Sequence, residues 1–128
     1  MRADFGLEKF DEYGDISFTD EKARLDNFAI QVNNMENVDA LLVVYAGRKA
    51  RVAEAQLRGN RARDYLISVR KIDPNRIKVI DAGHRESLTV VLYTWPAGAD
   101  PPPFESTVDK SKVQIIYEKK KRVPGKRH

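Results

Sequence analysis

The chain has 128 residues, 41% of them apolar and 33% charged, with a formal net charge of +4; this suits one soluble domain large enough to bury a core. The absence of cysteine excludes a disulfide framework and thiolate metal sites. No apolar run nears the ~18–20 residues that a membrane helix needs, and MRADFGLEKFDEYG holds no signal-peptide apolar core, so an exported form is expected to have lost its signal already.

Charge is unevenly spread. Residues 1–40 carry ten acids against four bases, a net −6, and the other 88 carry nine acids against nineteen bases, a net +10. Much of the excess lies in the basic tail Lys119–His128, a composition that attracts nucleic acid, anionic lipid or acidic polymer but is also common in solvated termini.

In chain order, residues 1–14 read as a lead-in closing on an Asp-Glu-Tyr-Gly turn, with Phe5, Leu7 and Phe10 covering an edge of the core. Ile16–Phe18 reads as a short strand. Thr19 is the expected N-cap of a helix with Asp20 and Glu21 in its first turn. Leu25, Phe28, Ala29, Val32 and Met35 form its apolar stripe. Ala40–Tyr45, ALLVVY, is a continuous apolar run, as expected of a strand covered on both faces, and Ala46–Ala50 read as a loop.

A second helix follows, with Ala55, Gly59, Ala62, Leu66 and Val69 on one stripe; Ile72-Asp73-Pro74 is expected to end it, because a residue before proline is pushed out of helical geometry. Ile77, Val79 and Ile80 then read as a strand, Asp81–Ser87 as a polar turn, and Leu88–Trp95 as a further strand paired with it in an antiparallel hairpin. The order is βαβαββ, an α/β (α+β) two-layer sandwich with a mixed sheet and two helices. Residues 1–96 are expected to form the domain, 97–112 a Pro-rich linker, and 113–128 an extra strand and the basic tail. Val113–Tyr117, VQIIY, either adds an edge strand to this sheet or pairs with another chain to make a homo-oligomer.

The stretch Leu57-x-x-x-Arg61-Ala62, Asp64-Tyr65-Leu66 and Ile72-Asp73-Pro74-Asn75-Arg76-Ile77 resembles the core signature of OmpA C-terminal-like domains, the peptidoglycan-associated modules of bacterial envelopes. The resemblance spans roughly Ile16 to Leu92. It implies a non-enzymatic binding domain in the periplasm or cell envelope, near the outer membrane, with peptidoglycan or another anionic envelope ligand as partner. In that family an aspartate in a GxTD-type loop and the arginine of an LSxxRA helix grip diaminopimelate. One acid meets the ammonium and one forked guanidinium meets the carboxylate. Arg61 matches the arginine. The loop here reads Tyr45-Ala46-Gly47-Arg48-Lys49-Ala50 and has no acid, so peptidoglycan recognition is expected to be altered or lost; Glu54 could supply the acid only through a rearranged loop.

In place of the acid stands a cationic group, Arg48, Lys49, Arg51, Arg58 and Arg61, suited to a carboxylate, phosphate or sulfate, or else to a solvated helix face. Nucleic acid is disfavoured, since no helix-turn-helix, zinc knuckle or RNP-type aromatic strand is present. Asp81, His84 and Glu86 form a histidine–carboxylate constellation that a small enzyme could use for general base catalysis, with a surface turn as the default. It offers too few ligands for a metal. No phosphate loop or dinucleotide fingerprint appears, so no cofactor is expected.

Overall fold

The computed structural model describes residues 6–116; Phe5, Tyr117 and the basic tail Lys119–His128 lie outside the described residues. The elements run β1 (Glu8–Tyr13), α1 (Phe18–Asn34), β2 (Val38–Ala46), β3 (Lys49–Arg51), α2 (Glu54–Ser68), β4 (Ile77–His84), β5 (Thr89–Pro96) and β6 (Gln114–Ile116). A four-stranded mixed sheet, in the order β1-β5-β2-β4, carries both helices on one face. The fold is therefore an α+β two-layer sandwich. Among the described residues no helix is long and apolar enough to cross a membrane.

Strand alternation divides the core in two. Ala40, Leu42, Val44, Val90 and Leu92 face the helices, against Leu25, Phe28 and Val32 of α1 and Ala55, Ala62 and Leu66 of α2. Leu41, Val43, Tyr45, Val91 and Trp95 face the other way. Residues 97–113 lie across that outer face, irregular but anchored. Trp95 Nε1 donates to Ala99 O (3.1 Å), the Phe104 ring lies 5.5 Å from Tyr93, and Val108 is buried.

The structure corrects several local expectations. The first strand is Glu8–Tyr13, not Ile16–Phe18. Its sequence, EKFDEY, is charged and mostly exposed because it lies at the sheet edge, where charge discourages pairing with other chains. Ser17, not Thr19, caps α1, its Oγ accepting from Asp20 N at 3.1 Å. The end of α2 comes before Ile72-Asp73-Pro74. Lys71 takes a left-handed conformation (φ 61°), which lets Ile72 N–H reach Leu66 O at 3.1 Å. Val69, expected on the buried stripe, is the C-cap of α2 and 50% exposed.

The expected β4–β5 hairpin is also overturned. Asp81–His84 continue β4, and β5 pairs antiparallel with β1 and β2 while β4 pairs parallel with β2. Burial decides this order. β2 and β5 are apolar on both faces and take the centre, whereas the half-buried β4 takes an edge. The chain between them crosses the end of β2, where Arg85 N donates to Ala46 O (2.9 Å). Gly47 permits this crossing, since a Cβ there would come 3.1 Å from Leu88 N. Lys49 and Ala50, expected as loop, form β3 together with Arg51 and pair parallel with β6 in a separate two-stranded ribbon. The extra strand therefore joins β3, not the main sheet.

The Ile72–Ile77 segment is a brace. Asp73 Oδ1 accepts from Asn75 N (2.9 Å), turning the chain so that Arg76 Nη2 donates to Val32 O, Met35 O and Val38 O at 2.9–3.1 Å. One guanidinium thus ties the end of α1 to the start of β2. Asp26 ties the helices together, accepting from Tyr65 Oη (2.6 Å) and Arg70 Nε (2.7 Å). These bonds, Tyr65 first, hold the Asp26 carboxyl below its ordinary pKa.

Gly59 is where α2 meets the sheet most closely: a Cβ there would collide with Val79 Cγ1 and lie 3.3 Å from Val44 Cγ2. Alanine would gain about 1 kcal/mol of helix propensity but lose about 1–3 kcal/mol to overpacking, because β-branched valines cannot swing aside. Gly59→Ala should therefore lower stability in urea unfolding, and combining it with Val79→Ala should recover part of the loss. A stabilised single variant would show that the helix can lift off the sheet at no cost.

Candidate functional site

The loop after β2, the start of α2 and the 85–88 crossing meet at one end of the sheet. They enclose a groove of about 360 Å³ lined by Asp15, Arg48, Lys49, Glu54 and Glu86 among others. A second cavity of about 220 Å³ lies beside it, between β6, the end of β4 and the start of α2, with Arg51, Glu54, Asp81, His84 and Ile115 in its wall. Glu54 borders both.

The five cations expected to act as one anion site are distributed differently. Arg48 makes a bidentate pair with Glu86, Nε to Oε1 at 3.0 Å and Nη2 to Oε2 at 2.6 Å. The Arg48 hydrogen bonds hold the Glu86 carboxyl below its ordinary pKa. Arg58 Nη1 donates to Asp15 Oδ1 (2.8 Å), and Arg61 Nη2 donates to Glu21 Oε1 (2.8 Å). Arg51 lies on β3, its backbone N–H donating to Glu54 Oε1 at 3.2 Å. Lys49 lines the groove with Arg48. Each arginine of the 48, 58 and 61 set meets a carboxylate from a distant part of the chain.

The Arg61 pair is the deepest of these. The Glu21 side chain is 0% exposed, against 36% for that of Arg61. Tyr13 Oη donates to the other Glu21 oxygen, and the Arg61 guanidinium stacks 4.4 Å from the Phe18 ring centroid. Burial, then the bond to Glu21, pushes the Tyr13 phenol far above its ordinary range. Sequence reasoning treated Glu21 as a helix-start acid. A signal was present, however: Glu21 precedes Leu25, Phe28 and Val32 by four, seven and eleven residues, which sets it on the buried stripe. Asp15 carried no comparable signal.

The histidine–carboxylate constellation is dispersed. His84 Nδ1 lies 3.0 Å from Gly47 O and, since a carbonyl oxygen only accepts, donates its proton to it. A backbone carbonyl, not a carboxylate, orients the ring. Asp81 Oδ1 accepts from Gly83 N (3.1 Å), and Glu86 is turned to Arg48. None of the residues lining the cavity at His84 is a Ser, Thr, Cys or Lys that could serve as nucleophile. Among the described residues, no group of three or more His, Asp or Glu stands close enough to hold a metal ion.

Compared with protein-family models, curated proteins and solved structures, the chain finds no match in any of the three.

Tyr13→Phe should cost about 1.5–3 kcal/mol near pH 7, the worth of a hydrogen bond to a charged group. The folded Tyr13 pKa is raised above its unfolded value of about 10, so the stability it confers is complete below that pH and declines above it. Urea unfolding should show the gap between native and Tyr13→Phe proteins narrowing as pH passes 10. A gap that stays constant to pH 11 would mean the phenol is not held by Glu21.

Proposed function

We propose that the chain is a non-enzymatic binding module of the bacterial cell envelope, akin to OmpA C-terminal-like domains, in which peptidoglycan recognition is altered. The observation that carries this reading is the mixed-charge groove beside α2, with Glu54 and Asp15 on its wall together with Lys49. The arginine that the resemblance assigns to ligand binding, Arg61, is bonded to Glu21 of the same chain. The loop residues Ala46–Ala50 supply no acid. Recognition of an amino-acid head group therefore passes to other residues, with Glu54 facing the ammonium and Lys49 the carboxylate. Lys49 is exposed and Glu54 only half-buried, so affinity is weak and falls with salt, since such charges are screened over about 8–10 Å at physiological ionic strength.

Co-sedimentation with peptidoglycan sacculi, together with NMR titration by diaminopimelate and by a simple dicarboxylate, tests the proposal. Sacculi should pellet the protein at low salt, and diaminopimelate should shift signals of Lys49 and Glu54 more than the dicarboxylate does. Glu54→Gln should weaken diaminopimelate binding about tenfold, the loss of one charge-assisted contact, with little effect on the dicarboxylate. Failure to pellet, with no shift from either ligand, would exclude the envelope reading.

A further inference from the structure

Arg58 carries more donors than the described residues meet. It lies on α2 next to Gly59, where the helix comes closest to the sheet. Its side chain is only 15% exposed, and Nη1 donates to Asp15 Oδ1 at 2.8 Å. Nε and Nη2 are buried and find no acceptor among the described residues. Since Nε carries one N–H and Nη2 carries two, three of the five guanidinium donors are unmet. Donors of a buried charged group are costly to leave so.

The carboxylate at this guanidinium is loosely held. Asp15 is 73% exposed, and it meets Arg58 through Nη1 alone. Arg48 shows the contrast, because it engages both oxygens of Glu86. An exposed, single-point ion pair contributes little and exchanges readily with solvent. Asp15 is also part of the wall of the groove of about 360 Å³, together with Lys49 and Glu54. Its carboxylate therefore stands between that groove and the Arg58 fork. Glu54 and Arg58, four residues apart on α2, lie on one side of the helix.

We propose that Arg58 is a binding site for a ligand carboxylate, with Asp15 as its displaceable stand-in. When Asp15 turns out to solvent, a carboxylate entering from the groove takes its place on Nη1. Its second oxygen reaches Nη2, completing the bidentate fork that Asp15 does not make. The ligand class is carboxylate because a carboxylate is what already sits at that nitrogen. Asp15 is tethered beside Arg58 and so competes at high effective concentration, which keeps the native affinity low. The site does not rest on the function proposed above, since it asks nothing of Glu54 or of an ammonium.

The test follows arginine Nε–H and backbone amide signals of the full chain by NMR, during titration with succinate at constant ionic strength. Native protein is compared with Asp15→Asn, which removes the competitor, and with Asp20→Asn. Asp20 is an exposed acid in the first turn of α1, so its substitution removes the same charge and leaves the Asp15–Arg58 pair in place. Succinate should move the Arg58 Nε–H signal, with an affinity several-fold higher in Asp15→Asn and unchanged in Asp20→Asn. Adding Arg58→Lys to Asp15→Asn should abolish the gain, because an ammonium has no fork. Equal affinity in the native and Asp15→Asn proteins would overturn the proposal, as would an equal gain in Asp20→Asn. Shifts confined to the amides of Arg48 and Lys49 would put the carboxylate elsewhere in the groove and overturn it too.

Discussion

The fully buried carboxylate of Glu21 is the constraint around which this end of the molecule is organised. A carboxylate wholly removed from water costs several kcal/mol unless its oxygens are met by donors and a countercharge. Tyr13 from β1 and Arg61 from α2 meet them, so an edge strand and both helices are joined at a single side chain. That demand explains why the arginine expected to face a ligand faces inward. An intramolecular carboxylate is present at all times, and an external one competes with it only at high concentration.

The same end of the protein depends on how closely α2 lies on the sheet. Gly59 sets the spacing, and the Arg76 fork and the Asp26 bonds to Tyr65 and Arg70 fix the position of α1 relative to it. With both helices held, the first turn of α2 is rigidly placed beside the β2–β3 connection, and Glu54 comes to stand between two cavities. Binding chemistry on such a frame can change by exchange of loop residues while the helix–sheet packing stays as it is.

Residue type and spacing made the candidate site legible only in part. The cations at 48, 49, 51, 58 and 61 are close in sequence and were expected to act as one. Their actual partners, Glu86, Asp15 and Glu21, lie about 40 residues away along the chain, and no local pattern announces such pairings. Asp81, His84 and Glu86 show the reverse. Proximity in sequence suggested a unit, but alternation along β4 and the crossing at 85–88 send Glu86 away to Arg48.

Local chemistry by itself determined both helices, the two apolar strands and the α+β class. Those signals are periodicities of burial, which depend on which residues share a face. It did not determine strand order, the place of the charged edge strand β1 or the pairing of β6 with β3. Each of those is a competition among long-range partners. β5 goes to the centre because burying both of its faces removes more apolar area from water than a hairpin with the half-buried β4 would, and that comparison exists only once the whole sheet is assembled.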